Sequence, residues 1–248
     1  MELFAFWGRL KAELGRACAL LVLYSIAMRS DYKGTWTAGA ETLAAARMSV
    51  ADTEDEIELE RSGRGTMQFF LDNVGVNPSD VVLEIGCGVG RVGKQLARRC
   101  ARWIGADVSP NMLRWAAESL RDLPNVEFVE LSGFDLRPIA SESVDFVYCT
   151  VVFPHLSQWD RYSYVEEAFR VLRPGSGRLY VDNVNLCSES GWKIFEAHRQ
   201  IPPLQRIPEI GECSTPEELI EYLRRAGFVD IQSKPGDELI AVWGRKAE

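Results

Sequence analysis

The sequence predicts an α/β fold with a doubly wound, mostly parallel, seven-stranded sheet, and three observations predict it. A short apolar segment, Val81–Ile85, runs directly into a turn with alternating glycines at 86, 88 and 90. Strand-like and helix-like segments then alternate through 61–184, which calls for right-handed crossovers and parallel pairing. The last two strand-like segments are joined only by Ser233–Asp237. That linker is too short for a crossover, so the final strand should run antiparallel to the rest.

Each element has its own signal. Met67, Phe70, Leu71 and Val74 recur at helical spacing, and Gly75 stops that helix just before the glycine strand. Arg91–Cys100 is rich in helix formers, with Val92 and Leu96 four apart. Ser109-Pro110 supplies an N-cap and a first-turn proline, followed by an apolar stripe of Leu113, Ala116, Ala117 and Leu120. Val165, Phe169 and Leu172 line a further helix that ends at Pro174-Gly175. Thr215-Pro216-Glu217-Glu218 reads as a capping box, and Gly227 ends its helix. The strands fall near 81–85, 103–106, 126–129, 144–149, 178–182, 229–232 and 239–243. Two domains follow from this patterning: a poorly patterned N-terminal lid segment over 1–60, closing in the acidic run Asp52–Glu56, and an α/β domain over 61–248. The acidic run reads as a solvated face or a connection.

Bulk properties narrow the function. The 248 residues are 46% hydrophobic and 26% charged, as in soluble globular chains. A net charge of −8 argues against a nucleic-acid partner. The six cysteines, at 18, 87, 100, 149, 187 and 213, form no C-x-x-C pair. Neither zinc nor a disulfide framework is indicated, and a reducing, cytoplasmic setting is expected. The apolar run 17–28 is flanked by Arg9, Lys11, Arg16 and Arg29. It is shorter than the about 20 residues that span a bilayer, and no small-x-small cleavage site follows it. It reads as a helix packed on its own domain or on a second subunit, leaving a homodimer or peripheral membrane contact through 17–28 open.

The glycine turn carries the chemistry. Its glycines permit dihedrals that side chains forbid and let the backbone approach a ligand closely. Glu84-Ile85-Gly86-Cys87-Gly88-Val89-Gly90 followed by Asp107-Val108-Ser109-Pro110-Asn111-Met112-Leu113 resembles the class I S-adenosylmethionine-dependent methyltransferases, in particular the small-molecule enzymes related to ubiquinone and menaquinone methyltransferases. The resemblance covers 61–184, with 214–244 consistent with the closing elements of that Rossmann-like fold. It implies S-adenosylmethionine as cofactor. It also implies that Glu84 orders the glycine loop and the methionine amino group, that Gly86, Cys87, Gly88 and Gly90 lie against the methionine portion, and that Asp107 accepts from the ribose hydroxyls. Val108 and Met112 would pack on adenine.

One motif departs from the family. Many relatives carry an acid after the third strand that binds adenine, and Ser132 stands there instead. Adenine is therefore expected on backbone near Gly133 and Phe134, with Ser132 beside it. Gly88-Val89-Gly90-Arg91-Val92-Gly93 also matches the dinucleotide signature G-x-G-x-x-G, so an NAD-dependent oxidoreductase is the weaker alternative. No Tyr-x-x-x-Lys pair supports it. A cofactor-binding protein with a regulatory or assembly role is the other alternative.

The catalytic expectations are few. The reading is methyl transfer to an N or O nucleophile of a small molecule by direct displacement, a reaction governed mainly by alignment. Thr150 and Val151, after the fourth strand, would flank the sulfonium. His155 is a base or a loop-ordering residue. Asp182, ending the fifth strand, either orients substrate or caps loop backbone. Tyr32, Trp36 and Trp159 are candidates to close the pocket. No metal-ligand cluster is expected.

Overall fold

A computed structural model describes residues 29–248. The expectations for 17–28 lie outside the described residues. Three helices come first: α1 (Tyr32–Ala38), α2 (Leu43–Ala51) and α3 (Glu56–Asn73). Strand β1 (Val81–Ile85) leads to the short α4 (Gly93–Leu96), followed by β2 (Arg102–Asp107), α5 (Pro110–Ser119), β3 (Val126–Glu130) and β4 (Phe146–Cys149). Then come α6 (Gln158–Val171), β5 (Arg178–Val184), α7 (Glu189–Arg199), α8 (Pro216–Ala226), β6 (Phe228–Pro235) and β7 (Leu239–Lys246).

The seven strands form one sheet in the order β3-β2-β1-β4-β5-β7-β6. β7 pairs antiparallel with both β5 and β6, and all other pairs are parallel. The chain order reverses between β1 and β4, the switch point where open α/β sheets bind ligands at the carboxyl edge.

Strand alternation builds the two faces. Leu83, Ile85, Val147, Cys149, Leu179 and Val181 point to the face covered by α6 and α8. Val82, Trp103, Phe146, Tyr148 and Tyr180 point to the other, under Phe70 of α3 and Ala116 of α5. Burial on both faces explains why the central strands are continuous apolar runs.

The caps form as the sequence predicts. Ser109 Oγ accepts from the Met112 amide at 3.2 Å, and Thr215 Oγ1 accepts from the Glu218 amide at 3.3 Å. The reciprocal half of that second box is missing, because Glu218 turns instead to Arg161 (3.3 Å) and the Tyr222 hydroxyl (2.7 Å). The acidic run is no mere connection: Asp55 accepts from the Ile57 amide at 2.7 Å and caps α3, with Glu56 and Glu58 in its first turn. That helix crosses the expected boundary between 60 and 61.

The helix expected over 91–100 is shorter than the pattern suggested. It holds only Gly93–Leu96, then a 3₁₀ turn at Ala97–Arg99. No side chain caps its start. Its end is pulled straight because Ala101 must donate to Asp80 O (2.9 Å) to enter β2 beside β1.

Candidate functional site

The carboxyl ends of β1, β2 and β4 open into one cleft. Its lining includes Glu84, Gly86, Cys87, Gly88, Asp107, Val108, Met112, Gly133, Thr150, Val151 and His155, eleven of the fifteen residues expected from sequence to bind the cofactor or take part in catalysis. The lid segment completes the wall with Tyr32, Trp36, Ser49 and Val50.

The glycines divide into two kinds. Gly86 and Gly88 hold φ of 71° and 52° and line the cleft. A Cβ on Gly86 would stand 2.3 Å from Val152 Cγ2, and one on Gly88 would stand 2.7 Å from Val50 Cγ1. These two positions leave main chain bare toward the cavity. Gly90 (φ 78°) is absent from the lining, and a Cβ there would meet Leu120 Cδ1 at 2.5 Å. Gly90 therefore serves the packing of the glycine loop on α5 rather than ligand contact.

Two buried carboxylates stand at the strand ends. Asp107 accepts from the Gly88 amide through Oδ2 and from the Ser109 amide through Oδ1, both at 2.9 Å. Each oxygen retains a further acceptor site. Burial pushes this carboxyl up to about 6, against the two amides that favour its charge. Glu84 accepts from the Tyr148 hydroxyl, which itself accepts from Trp103 Nε1 at 3.1 Å. Burial pushes Glu84 up to about 8, only partly offset by Tyr148 and the charge of Arg91.

Asp182 does not line the cleft. Its Oδ2 accepts from the Thr150 and Tyr180 hydroxyls at 2.6 and 3.0 Å, and its Oδ1 accepts from the Val151 amide at 2.6 Å. Of the two roles open to it in the sequence, orienting substrate or capping loop backbone, the geometry matches the second. Val151 holds φ of 56°, a conformation that costs a β-branched residue energy.

His155 lines the cleft and contacts Pro208 O through Nδ1 at 3.0 Å. A carbonyl only accepts, so Nδ1 carries the proton and Nε2 presents a lone pair. Nε2 has no protein partner among the described residues. Burial lowers this imidazole to about 4, so the ring stays neutral near pH 7. The ring of Trp36 meets it edge-on, with centroids 4.7 Å apart at 75°.

The third motif behaves differently from expectation. Gly133 lines the cleft, but Ser132 and Phe134 do not. The Ser132 hydroxyl accepts from the Phe134 amide at 3.1 Å, closing a local turn, and the Phe134 ring packs beside Tyr32 at 5.6 Å, 45% exposed. Trp159 is 84% exposed and closes nothing. His198 Nδ1 donates to Gly211 O (2.9 Å) and holds the segment beyond α7.

Among the lining residues that sequence reasoning passed over, Arg91 and Tyr164 stand out. Arg91 is the one lysine or arginine in the lining among the described residues, and its Nη1 reaches Thr66 Oγ1 (3.3 Å) and Ser62 Oγ (3.4 Å) on α3. Its place directly after the glycine turn was the available signal. Tyr164 is buried in α6 and lines the cleft, and its hydroxyl has no hydrogen-bond partner among the described residues. Nothing in the sequence distinguished it from a core aromatic. Among the described residues, no group of three or more His, Cys, Asp or Glu is placed to hold a metal. No helix among them is long and apolar enough to cross a membrane.

Comparison with known proteins agrees with this geometry. A family model described as a methyltransferase domain matches residues 83–181, from β1 to β5. The human thiol S-methyltransferase TMT1A is 31% identical over 154 residues, covering 61% of each chain. A ubiquinone biosynthesis O-methyltransferase of Cupriavidus pinatubonensis is 28% identical over 164 residues, covering 64% of each. The chain thus spans somewhat under two thirds of these relatives' length. Among solved structures, magnesium protoporphyrin IX methyltransferase from Synechocystis, with bound SAH, superposes with a TM-score of 0.59 at 16% identity. That match covers 78% of this chain and 88% of the other, a likeness of fold.

Proposed function

The chain belongs to the class I S-adenosylmethionine-dependent methyltransferase family, and from that premise we propose that it methylates an N or O nucleophile on a small molecule by direct displacement. When bound, S-adenosylmethionine supplies an electrophilic methyl on a sulfonium centre. The protein's own work is then to hold the donor, align the acceptor and exclude water.

One observation carries this reading: a buried carboxylate, Asp107, held by the Gly88 and Ser109 amides beside main chain left bare at Gly86 and Gly88. Two adjacent hydroxyls of a ribose suit the acceptor sites Asp107 has left. Glu84 suits the methionine ammonium, and Arg91 suits the methionine carboxylate. Val108 and Met112 provide the apolar floor for adenine. The Gly133 backbone and the Tyr164 hydroxyl offer the polar contacts that Ser132 does not. Thr150 and Val151, fixed by Asp182, flank the reacting end. The lid helices support water exclusion: Asn111 Nδ2 donates to Thr37 O (2.9 Å) and Trp115 Nε1 donates to Ala40 O (3.0 Å), seating α1 and its following loop on α5. The cysteines among the described residues are free thiols, in keeping with a cytoplasmic setting.

The test is calorimetric titration of the full chain with S-adenosylhomocysteine and with NADH, followed by incubation with methyl-labelled donor and a metabolite panel. Saturable binding of the former and label transfer to a panel member are the expected results. Tight NADH binding with no homocysteine derivative bound would overturn the reading.

A further inference from the structure

Resting on the methyl-transfer reading above, but dropping nitrogen from its acceptor atoms and adding sulfur, we infer that the acceptor is an uncharged molecule with an apolar or aromatic body that presents an acidic O–H or S–H to His155. The inference begins with where the ionised groups stand. Among the described residues, the charged side chains in the cleft wall are Glu84 on β1, Arg91 after the glycine turn and Asp107 closing β2, all on the glycine-loop side. Around His155 the wall is Tyr32, Trp36, Val152 and Leu156. None of these carries a charge near neutral pH, and the Tyr32 hydroxyl is committed to Asp160 at 2.6 Å.

Arg29 and Arg161, whose charges act on His155, are not among the residues lining the cavity. Arg29 donates to Ile207 O and Ile210 O and pairs with Glu212 at 3.2 Å. Arg161 donates to Phe153 O, Ser214 Oγ and Glu212 O. An acceptor carrying an ammonium or a carboxylate would therefore lose its hydration in this chamber without gaining a counter-charge. A neutral aromatic or aliphatic body gains apolar contact there instead.

His155 supplies the hydrogen-bond acceptor we assign to this half. Pro208 O fixes the tautomer with the proton on Nδ1, Trp36 packs edge-on against the ring, and Nε2 of this cleft-lining residue is left as an acceptor. A neutral imidazole made less basic by burial matches an acceptor whose proton is already loosely held. Aliphatic alcohols hold theirs too tightly, and an ammonium has no lone pair to attack with until its proton has gone. In the step, a lone pair on the acceptor's oxygen or sulfur forms the bond to the methyl carbon. The carbon–sulfur bond of the donor breaks with its electron pair remaining on that sulfur, and the acceptor's proton passes to His155 Nε2. Charge balances, since the positive charge of the sulfonium is replaced by that of the imidazolium.

The experiment uses the full chain saturated with S-adenosylhomocysteine and four probes on one frame: 2-naphthol, 2-naphthylmethanethiol, 2-naphthylmethylamine and 2-naphthoate. Calorimetry at pH 7 should find the naphthol and the thiol bound at least roughly tenfold more tightly than the ammonium and the carboxylate. With labelled donor the same two should be methylated. His155→Asn should lower kcat for the naphthol by about 10²–10⁴ while KM moves little, with a loss of the same direction for the thiol. Equal or tighter binding of the amine or the carboxylate overturns the assignment, as does wild-type turnover of the naphthol by the Asn variant. Binding of S-adenosylhomocysteine with neither the naphthol nor the thiol bound also overturns it, and leaves the methyl-transfer reading standing. Failure of S-adenosylhomocysteine itself to bind removes that reading, and this one with it.

Discussion

Asp182 accepts the amide proton of Val151 at 2.6 Å, and Val151 is a β-branched residue held at a φ of 56° on the rim of the cleft. The two facts explain each other. A valine in the left-handed region costs about 1–2 kcal/mol, and a buried carboxylate reaching across from β5 to the residue after β4 is what keeps it there. Two further donors, the hydroxyls of Thr150 and Tyr180, converge on the same carboxylate.

A coupling experiment follows. Asp182→Ala leaves three donors without their acceptor, of which the Tyr180 hydroxyl is buried at a cost of about 1–3 kcal/mol, so thermal stability and S-adenosylhomocysteine affinity should both fall. Asp182→Asn can keep its oxygen toward the Val151 amide and should bind and turn over within about tenfold of wild type. Val151→Gly in the Asp182→Ala background relieves the dihedral and should restore part of the lost affinity. A direct proton-transfer role for Asp182 predicts the opposite pattern: a large kcat loss in the Asn variant and no rescue by glycine.

Asp107 gives a separate test. Asp107→Asn removes the charge while keeping one oxygen for an amide. If two hydroxyls of the donor each lose a charge-assisted hydrogen bond of about 1.5–3 kcal/mol, homocysteine-product affinity should fall by roughly 10²–10⁴ with the fold intact by circular dichroism. Unchanged affinity would remove Asp107 from the ribose site.

The parts of this site written as local pattern were legible in the sequence. The strand and glycine turn, the Ser109 cap and the acid ending β2 are each set by residues within a few positions of one another, and they form as expected, although the helix after the turn is cut to Gly93–Leu96. The parts set by distant chain were not. Whether Asp182 faces substrate or loop depends on Thr150 and Val151 in the neighbouring strand's exit, a register that only sheet assembly fixes. Ser132 stands in register with the missing acid, yet its hydroxyl is captured by the Phe134 amide two residues on, a local bond that competes with any ligand. Tyr164 is an ordinary helical aromatic by spacing, and only the packing of α6 against the sheet brings it to the cleft wall.

Tyr164→Phe isolates the tyrosine hydroxyl. The ring packing is unchanged, so the melting temperature should hold. Loss of one neutral hydrogen bond of about 0.5–1.5 kcal/mol should weaken S-adenosylhomocysteine by about two- to tenfold. An adenine-free analogue, S-methyl-L-methionine, should bind the variant and wild type equally. Equal affinity of both proteins for S-adenosylhomocysteine would exclude the adenine contact.

Gly90 tests the distinction between packing and binding within one loop. Gly90→Ala places a methyl 2.5 Å from Leu120 Cδ1 at a φ of 78°, and overpacking of this kind costs about 1–3 kcal/mol. Stability should fall while the folded protein keeps its affinity for S-adenosylhomocysteine. Leu120→Ala added to Gly90→Ala should recover the steric part of the loss but not the dihedral part. Gly88→Ala should behave in reverse, with affinity falling more than stability, because its methyl would point at Val50 across the cleft.

The two raised carboxyls predict how pH acts on stability and on binding in opposite directions. Burial raises Glu84 from 4.5 to about 8 and Asp107 from 3.8 to about 6. A folded state that prefers the protonated form binds more protons than the unfolded chain, so stability falls as pH rises. Glu84's contribution is therefore complete below about 4.5 and lost as pH climbs through about 8. The ligand-free protein should melt at progressively lower temperature between pH 5 and about 8, and Glu84→Gln should flatten the upper part of that slope. Binding runs the other way: an ammonium beside Glu84 and hydroxyls beside Asp107 favour the ionised forms. At pH 7 Glu84 must release its proton when S-adenosylhomocysteine enters, and affinity should rise with pH toward 8 by at most about tenfold per unit. Calorimetry in two buffers of different ionisation enthalpy reads this directly, as roughly one proton released at pH 7. Release should shrink toward zero above about pH 9 and vanish at pH 7 in Glu84→Gln. No proton linkage in the wild-type protein at pH 7 would mean that Glu84 stays neutral in the complex and does not meet the ammonium.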